Sequence, residues 1–104
     1  MIVEIATIQV TAGKEESFID AFRQAQRYLA ASQHCLRYQL TRCIEEPGRF
    51  VLRIEWDSVE GHMEKFRGSP DYQDFRNLLY PNYASPPEIL HYDEVLLPAP
   101  SASC

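Results

Sequence analysis

Residues 35–56 read CLRYQLTRCIEEPGRFVLRIEW, and this stretch decides the fold. It predicts two strands, Cys35–Ile44 and Phe50–Trp56, joined by Glu45-Glu46-Pro47-Gly48-Arg49. Pro-Gly is a strong turn signal, because proline presets one φ and glycine accepts a positive one. Leu36, Tyr38, Leu40 and Ile44 belong on one face, where Phe50, Leu52, Ile54 and Trp56 must meet them. That pairing sets Ile44 opposite Phe50 across a five-residue loop, since a slip of one residue would expose one of the two sets. The other face carries Arg37, Gln39, Thr41, Val51, Arg53 and Glu55. It is polar for a sheet face that must also be covered, which points to a second subunit.

The rest of the chain builds outward from this hairpin. Met1–Val10 (MIVEIATIQV) is a strand with apolar groups on both faces, Ile2, Ala6, Ile8 and Val10 alternating with Val3, Ile5 and Thr7. Such a strand requires cover on both sides. After the break at Thr11-Ala12-Gly13, Lys14–Ser32 is a helix whose apolar stripe is Phe18, Phe22, Ala25 and Leu29, at i, i+4, i+7 and i+11. Glu15 and Glu16 lie in its first turn, at the positive end of the helix dipole. Asp57-Ser58 caps a short helix through about Arg67, and Ser69-Pro70-Asp71 starts another, with Ser at the N-cap, Pro at the first helical position and an acid in the first turn. Pro81, Pro86 and Pro87 punctuate a loop before a last strand at Glu88–Leu97. Pro98–Cys104 is too poor in apolar groups to pack and is expected to be a disordered tail. The order βαββααβ is the split βαβ, ferredoxin-like arrangement of an α+β protein. It implies one domain at residues 1–97, with a four-stranded antiparallel sheet and helices on one face only. An isologous dimer covers the bare face in such a design.

At 104 residues the chain has room for one domain, and 45% apolar content against 24% charged suits a folded core. Two Lys and eight Arg stand against five Asp and ten Glu, a net charge of −5, and the arginines never cluster. Nucleic acid and anionic membrane surfaces are therefore not expected partners. No run approaches the ~18 apolar residues of a membrane span, and the N-terminus lacks a basic leader, so a cytoplasmic protein is expected. Cys35 and Cys43, if on one strand, sit about 27 Å apart and cannot pair. With no Cys-x-x-Cys and only Cys104 besides, three reduced thiols are expected.

The chemistry-bearing residues are few. His34 falls at the loop into the second strand, His62 on the first short helix, and His91 in the last strand on a face with Ile89, Asp93 and Val95. None has metal-ligand spacing, so no metal is expected. Phosphate-cradling and dinucleotide motifs are missing, and Ser58 and Ser69 are explained by capping. The notable feature is aromatic. Tyr38, Phe50, Trp56, Phe66, Tyr72, Phe75, Tyr80 and Tyr83 come from elements that close over one region, which suits either a cavity for a planar ligand or a plain core.

Between Glu55 and Phe75 the stretch Glu55-Trp56-Asp57-Ser58, then His62-x-x-x-Phe66-x-x-Ser69-Pro70, resembles the antibiotic-biosynthesis monooxygenase family of the dimeric α+β barrel superfamily. The likeness extends over residues 1 to about 97. His62 matches the first histidine of the family motif, and Phe66 stands where many members have a second. The family's haem-degrading branch carries an Asn, a Trp and a His at positions that here hold Ala6, Phe66 and Arg76 or Asn77, so haem degradation is not implied. What the resemblance does imply is a homodimer that needs no cofactor and oxidises a small aromatic molecule of the phenolic, anthrone or quinol type. Such chemistry asks for a substrate anion held in a dry pocket beside one base. His62 is the expected catalytic base, because an imidazole titrates near neutral pH. Tyr38, Arg53, Trp56, Phe66, Tyr72, Phe75 and Tyr83 are the expected substrate-binding residues, with Arg53 or Arg76 placed to stabilise a phenolate. Two readings stand beside it: a non-catalytic dimeric binding module with the same cavity, and an isomerase or cyclase using His62 as a proton shuttle.

Overall fold

The computed structural model describes residues 1–96; the expected tail at 98–104 and the expected end of the last strand at Leu97 lie outside them. The chain runs β1 (Ile2–Gln9), α1 (Glu15–Ala31), β2 (Cys35–Arg42), β3 (Arg49–Trp56), a π-helical turn (Gly61–Phe66), α2 (Pro70–Leu79), a 3₁₀ turn (Tyr80–Asn82) and β4 (Glu88–Asp93). The strands form one antiparallel sheet in the order β2-β3-β1-β4. This is the expected α+β, ferredoxin-like architecture.

Strand alternation assigns the two faces. Ile2, Glu4, Ala6 and Ile8 of β1 stand beside Trp56, Ile54, Leu52 and Phe50 of β3, and on the other side Ala6, Glu4 and Ile2 stand beside Ile89, His91 and Asp93 of β4. This inner face packs on the helices. Phe18, Phe22, Ala25 and Leu29 of α1 are buried, as their spacing predicted, and the Phe18 ring lies 4.8 Å from that of Phe50. Gly13, at φ +87, makes the left-handed turn into α1, and its N–H donates to Glu15 Oε1 at 2.9 Å. Ser69 caps α2 by accepting from the Tyr72 N–H at 3.3 Å, with Pro70 first in the helix.

The hairpin departs from its expected register. Arg42, not Ile44, lies opposite Phe50, with Leu40 opposite Leu52 and Tyr38 opposite Ile54, a displacement of two residues. The loop still has five residues, 44–48, closed where the Cys43 N–H donates to the Arg49 carbonyl at 2.8 Å. Ile44 is 91% exposed. The physical reason is Arg42, whose guanidinium lies 5.4 Å over the Phe50 ring while Nε donates to the Pro47 carbonyl at 2.8 Å. An arginine can cover the ring with its stem and plane and keep its charge wet, which an isoleucine at the sheet's end cannot do. At the far end a bulge between Cys35 and Arg37 turns Leu36 outward, so Cys35 stands opposite Trp56. β4 also stops early. Asp93 pairs with Ile2, the first residue of β1, so no partner remains for Val95, which is exposed rather than on the inner face.

The outer face carries the expected polar set beside an apolar one. Arg37 and Arg53 grip the buried Glu55 at 2.7 and 2.6 Å. Hydrogen bonding from Arg53, with help from Arg37, keeps that carboxyl below its ordinary pKa. On the β4 side, Leu90 and Tyr92 are both about half exposed.

Between β3 and α2 the chain passes over the end of the sheet. The Ser58 hydroxyl accepts from the Gly61 N–H at 2.9 Å, and the Arg67 N–H reaches back five residues to the His62 carbonyl at 3.0 Å. His34, expected on the surface, is half-buried. Its Nδ1 lies 2.7 Å from Asp57 Oδ2, tying the start of β2 to the end of β3. Gly61 is wedged against this clamp. A Cβ there would collide with the Asp57 carboxylate and come within 3.1 Å of the His34 Cβ. Gly61→Ala is accordingly expected to destabilise the fold by about 1–3 kcal/mol, the scale of an overpacked site. Urea denaturation checks this, and an unchanged midpoint would show that the clamp yields freely.

Candidate active site

A cavity of about 520 Å³ lies between the inner sheet face and the segment from the π-helical turn to β4. Its floor is Glu4, Ala6, Ile8, Leu52 and Ile54; its walls are His62, Phe66 and Arg67, then Tyr72, Phe75 and Arg76 of α2; and Tyr80, Tyr83 and the loop 84–87 close it with Ile89. Apolar and aromatic walls with a few convergent polar groups are the usual makeup of a small-molecule site.

One strand position governs its chemistry. Glu4 occupies an inward slot of β1 between Ile2 and Ala6, and it is 4% exposed. The Trp56 indole N–H donates to Glu4 Oε1 at 2.8 Å, and His62 Nε2 approaches the same oxygen at 3.2 Å. His62 Nδ1 in turn lies 2.8 Å from His91 Nε2. The imidazole of His62 is stacked on the Trp56 indole, 4.7 Å between centroids and 16° between planes. Phe66, on the same side of the turn, packs on Trp56 at 5.3 Å and on Tyr72 and Phe75 at 5.7 Å each. The wide π-helical turn lets both His62 and Phe66 point inward, and turns of this kind recur at functional sites. All buried side-chain nitrogens and oxygens among the described residues have hydrogen-bond partners.

Burial sets the protonation of this cluster. Loss of solvent raises the Glu4 carboxyl from 4.5 to about 7, against the lowering pull of the Trp56 N–H and of Arg67. The same desolvation, with His91 and then Arg67 adding to it, lowers His62 from 6.5 to about 4. Near neutrality these shifts leave His62 a neutral imidazole and place the Glu4 carboxyl close to its midpoint. Burial also pushes the Tyr83 phenol up to about 12, so it stays a donor. Two guanidinium groups complete the wall, Arg67 at 5.4 Å over the Tyr72 ring and Arg76 at 4.7 Å over that of Tyr80.

The structure gathers some of the expected site residues and disperses others. His62, Phe66, Tyr72, Phe75 and Tyr83 line the cavity, and Arg76 joins them. Trp56 is fully buried beneath His62 and serves the site through its N–H rather than its surface. Tyr38 faces α1 instead, its ring 6.4 Å from Phe22 and its hydroxyl donating to Gln26 Oε1 at 3.1 Å. Arg53 projects from the opposite face of the sheet onto Glu55, which corrects its placement as a phenolate partner. Glu4 and Arg67 were missed. The signal for Glu4 was available as a lone carboxylate on the inward period of an otherwise apolar strand. Among the described residues no cluster of three or more His, Cys, Asp or Glu could hold a metal ion. Likewise among them, no helix is long and apolar enough to cross a membrane.

The chain also matches known proteins over most of its length. A family model described as antibiotic biosynthesis monooxygenase matches residues 1–78. The chain is 36% identical over 95 residues to the uncharacterized protein YczJ of Bacillus subtilis, covering 91% of this chain and all of that one. A crystal structure from Bordetella bronchiseptica, of a protein assigned to the antibiotic biosynthesis monooxygenases, superposes with a TM-score of 0.87 at 38% identity, over 91% of this chain and 97% of that one. SnoaB of Streptomyces nogalater, a cofactor-independent oxygenase, shares the fold with a TM-score of 0.80 at 14% identity, over 92% and 94% of the two chains.

The opposed shifts of Glu4 and His62 give a defined pH signature. The raised carboxyl stabilises the fold fully below pH 4.5, and its contribution is lost as pH rises towards about 7. The lowered imidazole contributes above 6.5, and that contribution is lost as pH falls towards about 4. Between 4.5 and 6.5 the two slopes oppose, so the pair leaves stability nearly flat. Glu4→Gln removes one slope. Its unfolding free energy is expected to fall on acidification from 6.5 towards 4, by up to about 1.4 kcal/mol per pH unit. Urea melts of parent and variant across that range check this, and equal acid slopes would refute it.

Proposed function

This chain belongs to the antibiotic biosynthesis monooxygenase family, and we propose that it oxidises a small phenolic, anthrone- or quinol-type substrate with O2 and without a cofactor. One observation carries the reading: a carboxyl poised near neutral pH on the floor of an aromatic cavity that also presents two guanidinium groups. These are the parts that the chemistry asks of a protein.

Glu4 is the base in this scheme, and His62, the residue expected from sequence, supports it. The Glu4 carboxylate removes a proton from the substrate, and Arg67 and Arg76 stabilise the resulting oxyanion. Phe66, Tyr72, Phe75 and Tyr83 hold the ring and exclude water, which strengthens those charge interactions. The anion passes one electron to O2, and the substrate radical and superoxide combine into a peroxide. For a CH2 centre the peroxide then breaks its O–O bond as the remaining C–H proton leaves. The balance is CH2 and O2 giving C=O and H2O.

The working unit in this proposal is a cytoplasmic homodimer, in which a second copy covers the outer sheet face. Half-exposed Leu90 and Tyr92 beside Val3, Ile5 and Val51 give that face an apolar half, and Arg37, Arg53 and Glu55 give it a polar one. Sedimentation at ~10 µM is expected to give the dimer mass. Leu90→Glu should shift the protein towards monomer, and a monomeric parent would remove this part of the reading.

Oxygen uptake with a panel of anthrones and hydroquinones tests the activity, with one O2 expected per substrate oxidised. Glu4→Gln should lower kcat by about 10²-fold, the scale of a positioned general base, with the melting temperature measured beside it. Ligand-induced melting shifts without oxygen uptake on any substrate that binds would overturn the oxygenase reading.

A further inference from the structure

Beyond the cavity, His91 is the remaining polar member of the inner-face cluster. It stands in β4, the edge strand, next to Glu4 across the β1·β4 ladder, and does not line the cavity. It is half-buried, whereas His62 and Glu4 are buried. The three groups lie within reach of one another: Glu4 Oε1 is 3.2 Å from His62 Nε2, and His62 Nδ1 is hydrogen-bonded to His91 Nε2 at 2.8 Å. We propose that Glu4, His62 and His91 form a proton path, by which the buried carboxyl exchanges its proton with solvent at the sheet edge rather than through the substrate cavity.

The hydrogen-bonding arithmetic supports this. A contact between two imidazole nitrogens needs one donor and one acceptor. The His62–His91 contact therefore ties the place of the proton on neutral His62 to which of the two rings donates, and the Glu4 contact must agree with it. Two of the arrangements that satisfy both differ only by movement of protons along the path. In the first, Glu4 is a carboxylic acid donating to Nε2, and neutral His62 donates from Nδ1 to Nε2 of neutral His91. In the second, His62 donates from Nε2 to the Glu4 carboxylate and accepts at Nδ1 from a His91 imidazolium. They hold the same number of protons and interconvert by two transfers, Glu4 to His62 Nε2 and His62 Nδ1 to His91. The His91 Nδ1 proton then leaves to water, and Glu4 remains as a carboxylate. His62 never accumulates charge, as its burial requires.

The surroundings leave the exchange to these three residues. From β3 the Trp56 N–H only donates to Glu4. From β2, Cys35 has its thiol pushed up to about 11 by burial and by Glu4, and from the loop after α2 the Tyr83 phenol stands at about 12, so both keep their protons. Arg67, after the π-helical turn, holds a fixed positive charge that acts on both Glu4 and His62. On β4 itself Asp93 follows on the face of His91 and is exposed.

As part of catalysis the path rests on the reading of Glu4 as the base, yet it is measurable with no substrate present. Nuclear magnetic resonance of protein labelled at imidazole nitrogens and Glu carboxyl carbons follows all three groups from about pH 5 to about pH 9, a window that spans the ordinary imidazole pKa of about 6.5. The expected result is that Glu4 ionises while His62 stays neutral and moves its proton from Nδ1 to Nε2 at the same midpoint. A His62 that keeps one tautomer throughout, or becomes charged, would overturn the path. His91→Gln preserves a hydrogen-bond partner for Nδ1 but cannot pass a proton on. It should slow exchange of the His62 ring N–H with water by about tenfold or more, at unchanged melting temperature. Equal exchange rates would mean that the cavity is the route. A tautomer shift without oxygen uptake on any aromatic substrate would leave the path and remove the oxygenase, and uptake with a fixed tautomer would do the reverse.

Discussion

A carboxylate is buried on the apolar floor of this fold, and the structure around it is arranged to hold it. Burying an unpaired carboxylate costs several kcal/mol, and the cost is reduced by hydrogen bonds or by protonation. Glu4 uses both. Trp56 donates from β3, His62 approaches from the π-helical turn, and the remaining strain appears as a carboxyl whose pKa stands about 7. The same requirement explains the stacking of His62 on Trp56, since both must aim a ring nitrogen at one oxygen. β1, β3 and the π-helical turn thereby meet at one carboxyl oxygen.

That point also separates the cavity from the core. α1 covers one part of the inner face with Phe18, Phe22, Ala25 and Leu29, and Tyr38 belongs with it. The π-helical turn, α2 and the loop to β4 cover the rest less completely, and the gap beneath them is the site. The aromatic residues that sequence places together are divided by this boundary. Phe50 and Tyr38 pack on α1 and Phe66 and Tyr72 face the gap, whereas Phe75 and Tyr83 border both, their rings 6.5 Å from Phe22 and 6.3 Å from Phe18. Aromatic content alone cannot make that division, because it depends on which helix crosses which strand.

Much of the architecture was legible because it rests on local chemistry. Spacing of apolar residues gave α1, Ser69-Pro70 gave the start of α2, and Pro47-Gly48 gave the hairpin. The register failed where a charged residue did an apolar residue's work, with Arg42 covering Phe50 and Ile44 left outside. Within the site, the period of two already set Arg53 with Arg37 and Glu55 on the outer face, and its proposed inward role conflicted with that pattern. Glu4 was readable by the same alternation. The meeting of His62 with His91 was not, because 29 residues separate them and only the β1·β4 pairing brings them within 2.8 Å.

The alternation of β4 links the two faces of the sheet. Leu90 and Tyr92 point outward, and His91 between them points in towards His62. β4 is an edge strand, paired on one side only, and edges are the most easily displaced part of a sheet. Whatever packs against Leu90 and Tyr92 also fixes the backbone that carries His91. A second copy over the outer face would therefore bear on the proton chemistry of the inner face without contributing a side chain to it. The 2.8 Å imidazole contact tolerates little drift of the strand, since hydrogen bonds weaken steeply once distance and angle are lost.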